Sequence, residues 1–468
     1  MPPVAKDDSS GAETSSGATS KWTISKLRDD AMIGGAGGDG VFDIAADSAG
    51  NSYVTGYFQG TVDFDLSQEH LGEADVLTAR GDTDAFVAKY APDDSLIWVR
   101  RMGGDFVNPQ AITDVGRDIA VDAGGNVYVL GEFFGSADFG GTTHVSDGIR
   151  NSFIAKFDAT GSFTWTKPLA SQHGRSIGVG VDAQENIYAM TLRDTTGYDF
   201  LKFDASGQSV WSKSIVTNNS LVGDLAVSAT GNVLAVGSFS GTVDFDPSSK
   251  ARSISVGARN ASFALKLDTN GKFGWVSPFS GAGQVYAHAV ALDGSGNVVV
   301  GGAYSGTIDF NPARATTTLD PLGGAYVAKL NSGGGLVWAR ALTNAGSGTS
   351  VNAYGLDVDV AGNIYVTGTF LGEIDLDPGS GARVKSTASG NDIFVVKLTA
   401  SGSHVWSEAF GGTGTDIGWG IAVDGAGVVN VAGYYADAVD FDPSPIETYT
   451  LGSAGARRDG FRLRLLQV

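Results

Sequence analysis

Carboxylates one residue apart recur along this chain, at Asp63/Asp65, Asp244/Asp246, Asp375/Asp377 and Asp440/Asp442. Alternate residues of an extended segment point the same way, so each pair could turn its oxygens toward one hard cation such as Ca2+. Asp309/Asn311 is a related pair, and Asp138 stands alone. The competing expectation is a turn, in which the aspartate caps a corner and Phe64, Phe245 or Phe441 anchors it by packing. Calcium takes six or more oxygens, and the residues after each pair do not supply a fixed set.

A second acidic group is defined by its place in a repeat. Asp39, Asp114 and Asp416 each stand four residues ahead of the same point in their copies, and Asp43 and Asp118 occupy that point. The other copies carry Gly174, Ser220, Val285 and Val351 instead. If the copies close into a ring, the aspartates form an acidic arc on one rim of a central channel. His173, Arg175, Tyr286, His288, Tyr354 and Trp419 are aromatic or basic neighbours at that rim. The candidate ligand-binding residues are therefore Asp39, Asp43, Asp114, Asp118, Asp416 and Trp419. The favoured expectation is that each aspartate caps its own loop.

Other chemistries find no support. His70, His144, His173, His288 and His404 fall in five different copies with no H-x-x-x-H pair, which argues against zinc. There are no cysteines, so disulfides and thiolate metal sites are excluded. No nucleophile elbow, P-loop or dinucleotide fingerprint occurs in a strand–helix context. No catalytic residue is assigned.

The elements that must position these residues follow from self-similarity. One half of the unit reads D-I-A-V-D-x-x-G-N-V-Y-V-x-G-x-F, at Asp43–Phe58, Asp118–Phe133, Asp224–Phe239 and Gly355–Phe370, with looser copies from Gly178, Ala289 and Gly420. The other half reads F-V-A-K-Y-D-x-x-G-x-x-x-W and ends at Trp98, Trp165, Trp211, Trp275, Trp338 and Trp406. Both halves alternate with period two and break at Asp- and Gly-bearing turns, which predicts four strands per unit and no helix. Seven copies of a four-stranded unit predict an all-β, closed seven-bladed β-propeller with antiparallel blades.

The innermost strand is small at its centre, with Ala45, Ala120, Gly180, Ala226, Ala291 and Ala422, so that crowded sheets can approach near an axis. Asp357 breaks that pattern, and a carboxylate there is costly unless paired or wet. The seventh second half, Phe461–Val468, stops before reaching a tryptophan. Trp22 precedes Asp47 at nearly the interval by which Trp98 precedes Asp122, so the N-terminal strand is expected to complete the last blade.

These motifs resemble the seven-bladed β-propeller repeat family abbreviated SBBP, nearly whole at Asp43–Asp65 with Asp84–Trp98 and again at Asp224–Pro247. The match runs from about Trp22 to Val468, and the third copy departs from it by lacking the D-F-D segment. The first half is also similar to NHL propeller repeats. The resemblance implies a secreted or surface-attached bacterial protein, extracellular or periplasmic, and implies fold far more than activity.

Residues 1–20, rich in Ser, Gly, Thr and Ala, are expected to be a flexible tether of the kind that follows a signal or lipid-anchor segment, with the propeller spanning 21–468. No apolar run approaches the ~20 residues that cross a bilayer. The net charge of −20 disfavours nucleic acid and favours solubility. The leading expectation is a non-catalytic scaffold for a protein or polysaccharide ligand. The alternative is a hydrolase or lyase working through the acidic arc, with Ca2+ as its cofactor.

Overall fold

The computed structural model describes residues 22–24, 32–65, 75–106, 113–147, 150–169, 175–193, 196–218, 220–257, 259–311, 316–319, 321–344, 350–387, 389–442, 449–453 and 457–467. The expected tether at 1–20 lies outside the described residues, as do His70, His173 and Gly174. Blade 1 runs outward as Gly40–Ala46, Ser52–Phe58, Asp84–Tyr90 and Leu96–Met102. Blades 2 to 6 repeat that order from inner strands Val115–Val121, Ser176–Val181, Gly223–Val227, Gln284–Leu292 and Ser350–Val358. The inner strands touch one another in sequence, and that of blade 1 also touches Ile417–Val423 of blade 7, closing a ring. The molecule is a seven-bladed β-propeller.

The turn motif explains why each unit folds alike. Asp47 Oδ1 accepts from the N–H groups of Ala49 and Asn51, both at 2.9 Å, while Oδ2 accepts from Asn51 Nδ2 and the Tyr53 hydroxyl at 2.7 and 2.9 Å. Gly50 turns the chain at φ 83°, where a side chain would be strained. Asp122, Asp182 and Asp359 repeat the arrangement with their own Asn and Tyr. Lys89 of the third strand then lies 5.0 Å over the Tyr53 ring. In blade 5, where Val299 stands in place of the tyrosine, Lys329 instead pairs with Asp293 at 2.9 Å.

The core is not inside any blade. Seven buried clusters lie one between each pair of neighbours, as where Tyr53, Val87 and Trp98 of blade 1 meet Val127, Val129 and Phe153 of blade 2. The repeated tryptophan belongs to this contact. Trp98 Nε1 donates to Ala159 O of the next blade at 3.3 Å and covers Gly161, where an added Cβ would meet the ring at 2.5 Å. Trp211, Trp275 and Trp338 reach Thr269, Ser332 and Ala400 in the same way.

The seam lies in blade 7, whose strands Ile417–Val423, Val429–Ala436 and Arg458–Gln467 are completed by Trp22–Ile24, paired Trp22↔Gln467 to Ile24↔Leu465. Where blade 7 meets blade 1, Arg462 Nη1 pairs with Asp94 at 2.8 Å and its Nε donates to Ser52 Oγ at 2.7 Å. Met32–Ile33 also pairs with Gly460 and Phe461 of that strand, so removing residues 1–24 should open only its Leu465–Gln467 end and lower Tm by several degrees, with aggregation on heating. Removing residues 1–20 should not. Equal thermal melts for the two truncations would refute a seam closed by this strand.

Candidate functional site

The inner strands turn one edge toward the axis, and their free N–H groups need acceptors. The preceding blade supplies them. Asp43 Oδ2 accepts from Ile119 N at 3.0 Å, Asp224 Oδ2 from Val290 N at 2.8 Å and Asp357 Oδ2 from Val423 N at 2.8 Å, while Asp118 accepts from Val179 N. These carboxylates line a cavity of about 770 Å3 on the axis. Burial pushes Asp224 up to about 7 and Asp357 up to about 6. Asp118 rises well above the carboxylate range through burial and the charge of Asp43, with which it shares a hydrogen bond. Asp357 thus finds the partner that its position demands.

Above this wall, six of the seven inner strands each extrude one residue by a β-bulge, which re-aims its side chain. The pairing skips Phe42 between Val41 and Asp43, Arg117 between Gly116 and Asp118, and Ile177 between Ser176 and Gly178. It likewise skips His288, Tyr354 and Trp419 in blades 5, 6 and 7. All six residues line the mouth of the axial cavity. The four rings form a continuous arc: Phe42–Trp419 at 5.8 Å, Trp419–Tyr354 at 4.4 Å and Tyr354–His288 at 5.2 Å between centroids. His288 Nδ1 lies 3.1 Å from Ala353 O, which assigns the proton to Nδ1 and leaves Nε2 an acceptor; burial depresses its pKa to about 4.

The arc ends at a basic cluster. Arg117 stacks over Phe42 at 4.6 Å, and its Nη2 lies 3.4 Å from Glu132 Oε2. Arg150 Nη1 meets the same oxygen at 2.9 Å, and Ser176 N donates to Glu132 Oε1 at 3.1 Å. Burial works against the Glu132 charge, but Arg117, Arg150 and Arg175 outweigh it and hold the pKa below the ordinary value. Arg175 also lines the cavity. Phe42 and Arg117 were missing from the sequence-level candidates; their signal was the position just ahead of Asp43 and Asp118.

Asp39, Asp114 and Asp416 are brought to equivalent places, but each lies buried beneath the rim. Asp39 accepts from Gly35 N and Gln59 N, both at 2.8 Å. Asp114 accepts from Gly104 N and Phe134 N at 3.0 and 2.9 Å, and Asp416 from Gly412 N and Ala436 N at 3.1 and 3.0 Å. Each ties a preceding outer strand to its own blade. Burial pushes Asp39 up to about 6 and Asp114 and Asp416 up to about 7. Asp392 lies against Asp416, and burial with that charge pushes it up to about 7. Its Oδ1 has no hydrogen-bond partner among the described residues.

The paired carboxylates sit at the outer rim, on short hairpins such as Thr61–Asp63 with Val76–Thr78. The first aspartate closes the loop. Asp244 Oδ1 accepts from Asp246 N and Arg252 N at 3.1 and 2.7 Å, Asp375 Oδ1 from Asp377 N and Arg383 N at 3.0 and 2.8 Å, and Asp440 Oδ1 from Asp442 N and Tyr449 N at 3.0 and 2.8 Å. Asp63 Oδ1 accepts from Asp65 N at 3.0 Å. Some of these hairpins also pair with the preceding blade, as at Thr343↔Asp375 and Gly411↔Asp440. Among the described residues no group of three or more His, Asp or Glu side chains is placed to hold a metal ion.

Stability should depend on pH with a calculable sign. Carboxyls raised by folding hold protons that the unfolded chain releases, so their contribution is complete near pH 4 and lost as pH climbs through about 6 to 7. This group comprises Asp39, Asp114, Asp224, Asp357, Asp392 and Asp416. For the turn carboxylates Asp47, Asp182, Asp293 and Asp359, burial is outweighed by hydrogen bonds that lower the pKa, so their contribution is lost only below about pH 4. Tm should therefore peak at mildly acid pH and fall by several degrees toward pH 8. Asp392→Asn should raise Tm at pH 8 and flatten the decline; a steeper decline would contradict the assignment.

No family model matches the chain. An uncharacterized WD repeat-containing protein of Acanthamoeba polyphaga mimivirus is 23% identical over 507 residues, covering 87% of this chain and 35% of that protein. The chain thus spans about a third of that relative's length. Among solved structures, the β-propeller domain of the Trilobed protease from Pyrococcus furiosus gives a TM-score of 0.42 at 9% identity, covering 92% of this chain and 94% of that one. An ulvan lyase of polysaccharide lyase family PL25 gives 0.43 at 10% identity, covering 90% and 96%. By its own strand pairing, the chain is a seven-bladed β-propeller.

Proposed function

We propose that this propeller is a non-catalytic scaffold displayed outside the cell, which holds a glycan at the channel mouth. The observation that carries this is the bulge-borne arc of Phe42, Trp419, Tyr354 and His288 opening on the axial cavity. Sugar rings present apolar C–H faces edged with hydroxyls. Rigid aromatic side chains cover such faces at little entropic cost, and a few convergent polar groups fix orientation. Asn352, beside Tyr354 on the cavity wall, is one such group. The resemblance to SBBP repeats supports surface display.

A hydrolase or lyase is the second reading, favoured by His288, which is neutral and offers Nε2 as a base beside the cavity. The acidic arc contributes less to it, because Asp39, Asp114 and Asp416 spend both oxygens on backbone N–H groups. With the first carboxylate of each outer pair likewise engaged, Tm should be unchanged by calcium or a chelator; a rise with calcium alone would overturn this.

A glycan array followed by calorimetry tests the main reading. Trp419→Ala and Tyr354→Ala should each weaken binding by tenfold or more, about 1.4 kcal/mol, while Val360→Ala, at an exposed residue in the turn after Ser350–Val358 that does not line the cavity, leaves it unchanged. Retention of full affinity by both aromatic variants would refute the site. Cleavage of a bound glycan, abolished by His288→Ala, would favour the enzyme.

A further inference from the structure

The rim of the cavity is chemically lopsided. Blades 5, 6, 7 and 1 contribute His288, Tyr354, Trp419 and Phe42, whereas Arg117 of blade 2 and Arg175 at the entry to blade 3 stand on the other side. Arg150 pairs with Glu132 as Arg117 does, and the charge of Arg175 also reaches that buried carboxylate, so three guanidinium groups gather around one acid. A local excess of positive charge has formed on a chain whose net charge is −20. Composition does not account for it.

The two cavity-lining arginines are prepared differently. Arg117 is held by its stack on Phe42 and its pairing with Glu132, which fixes the guanidinium before any ligand arrives. Arg175 makes no ion pair or side-chain hydrogen bond among the described residues, yet it lines the cavity. Burial and then the neighbouring charge of Arg117 lower its pKa, a strain that an anion between the two would relieve. The wall acids below do not cancel this field in full, since Asp43 and Asp118 hydrogen-bond to each other and burial raises both, Asp118 well above the ordinary value.

Resting on the glycan reading above, we infer that the ligand is an acidic saccharide whose carboxylate or sulfate group is held by Arg117 and Arg175 while its sugar face lies on Trp419 and Tyr354. Guanidinium forks match the oxygens of both groups. The attraction is partly exposed, so it weakens with salt.

Binding of four oligosaccharide classes by calorimetry tests this: a polyuronate, its methyl ester, a sulfated galactan and the unsulfated galactan. At least one acidic member should bind tenfold or more tighter than its neutral counterpart, and the member preferred identifies carboxylate or sulfate as the group read. Arg175→Gln, with Tm checked, should remove that preference and its salt dependence, whereas Trp419→Ala should weaken acidic and neutral members alike. Equal affinity for acidic and neutral members, unchanged by Arg175→Gln, would overturn the charge inference and leave the glycan reading standing. Absence of binding to all four, and to every member of the array, would overturn both.

Discussion

A blade of four strands has two apolar faces and nothing of its own to bury them against. The second strands, such as Ser52–Phe58, Val127–Phe133 and Val233–Phe239, are buried along their whole length. Their alternate side chains enter different interfaces: Val54 and Phe58 pack between blades 7 and 1, while Tyr53 packs between blades 1 and 2. Stability in such an array is a sum of neighbour contacts, and an open ring would leave two blades each with a bare face. Closure is therefore the constraint on which the rest depends. It explains why chain ends remote in sequence meet in one sheet, and why Arg462 of blade 7 pairs with Asp94 of blade 1.

Closure creates a second problem at the axis. Inner strands are edges that no further strand can cover, because the ring leaves no room for one. Carboxylates from neighbouring blades take the free N–H groups at four of the seven contacts, from Asp43, Asp118, Asp224 and Asp357. Burial makes their charge costly, and proton retention is the response. A channel that looks strongly acidic in sequence is thus less charged than its formula.

The fold was legible because its determinants are local and repeated. Asp47, Gly50 and Asn51 spell a turn by themselves, and Trp98 marks an outer strand because in five of the copies an indole covers the next blade's glycine. The site was less legible. A bulge adds one residue without changing composition or period, so Phe42 and Arg117 read as ordinary strand positions. Spacing revealed that Asp39, Asp114 and Asp416 are equivalent. It carried no sign that backbone N–H groups flank each one on both sides, which depends on where the preceding blade's outer strand ends.

The bulge also explains how a ring of near-copies acquires a working side. At the next position but one along the inner strand, Ile44, Ile119, Val179, Leu225, Val290, Leu356 and Ile421 all meet neighbouring blades and all remain aliphatic. The bulged residue is free of the ladder and, Ile177 apart, outside the apolar clusters between blades, so packing constrains its type less. There the copies diverge to Phe42, Arg117, Ile177, His288, Tyr354 and Trp419. Blade 4, whose strand begins at Gly223, has no such bulge, and Leu221 and Val222 line its part of the cavity. The same geometry that keeps the blades alike thus frees six side chains to differ at one mouth, with rings on one side and guanidinium groups on the other.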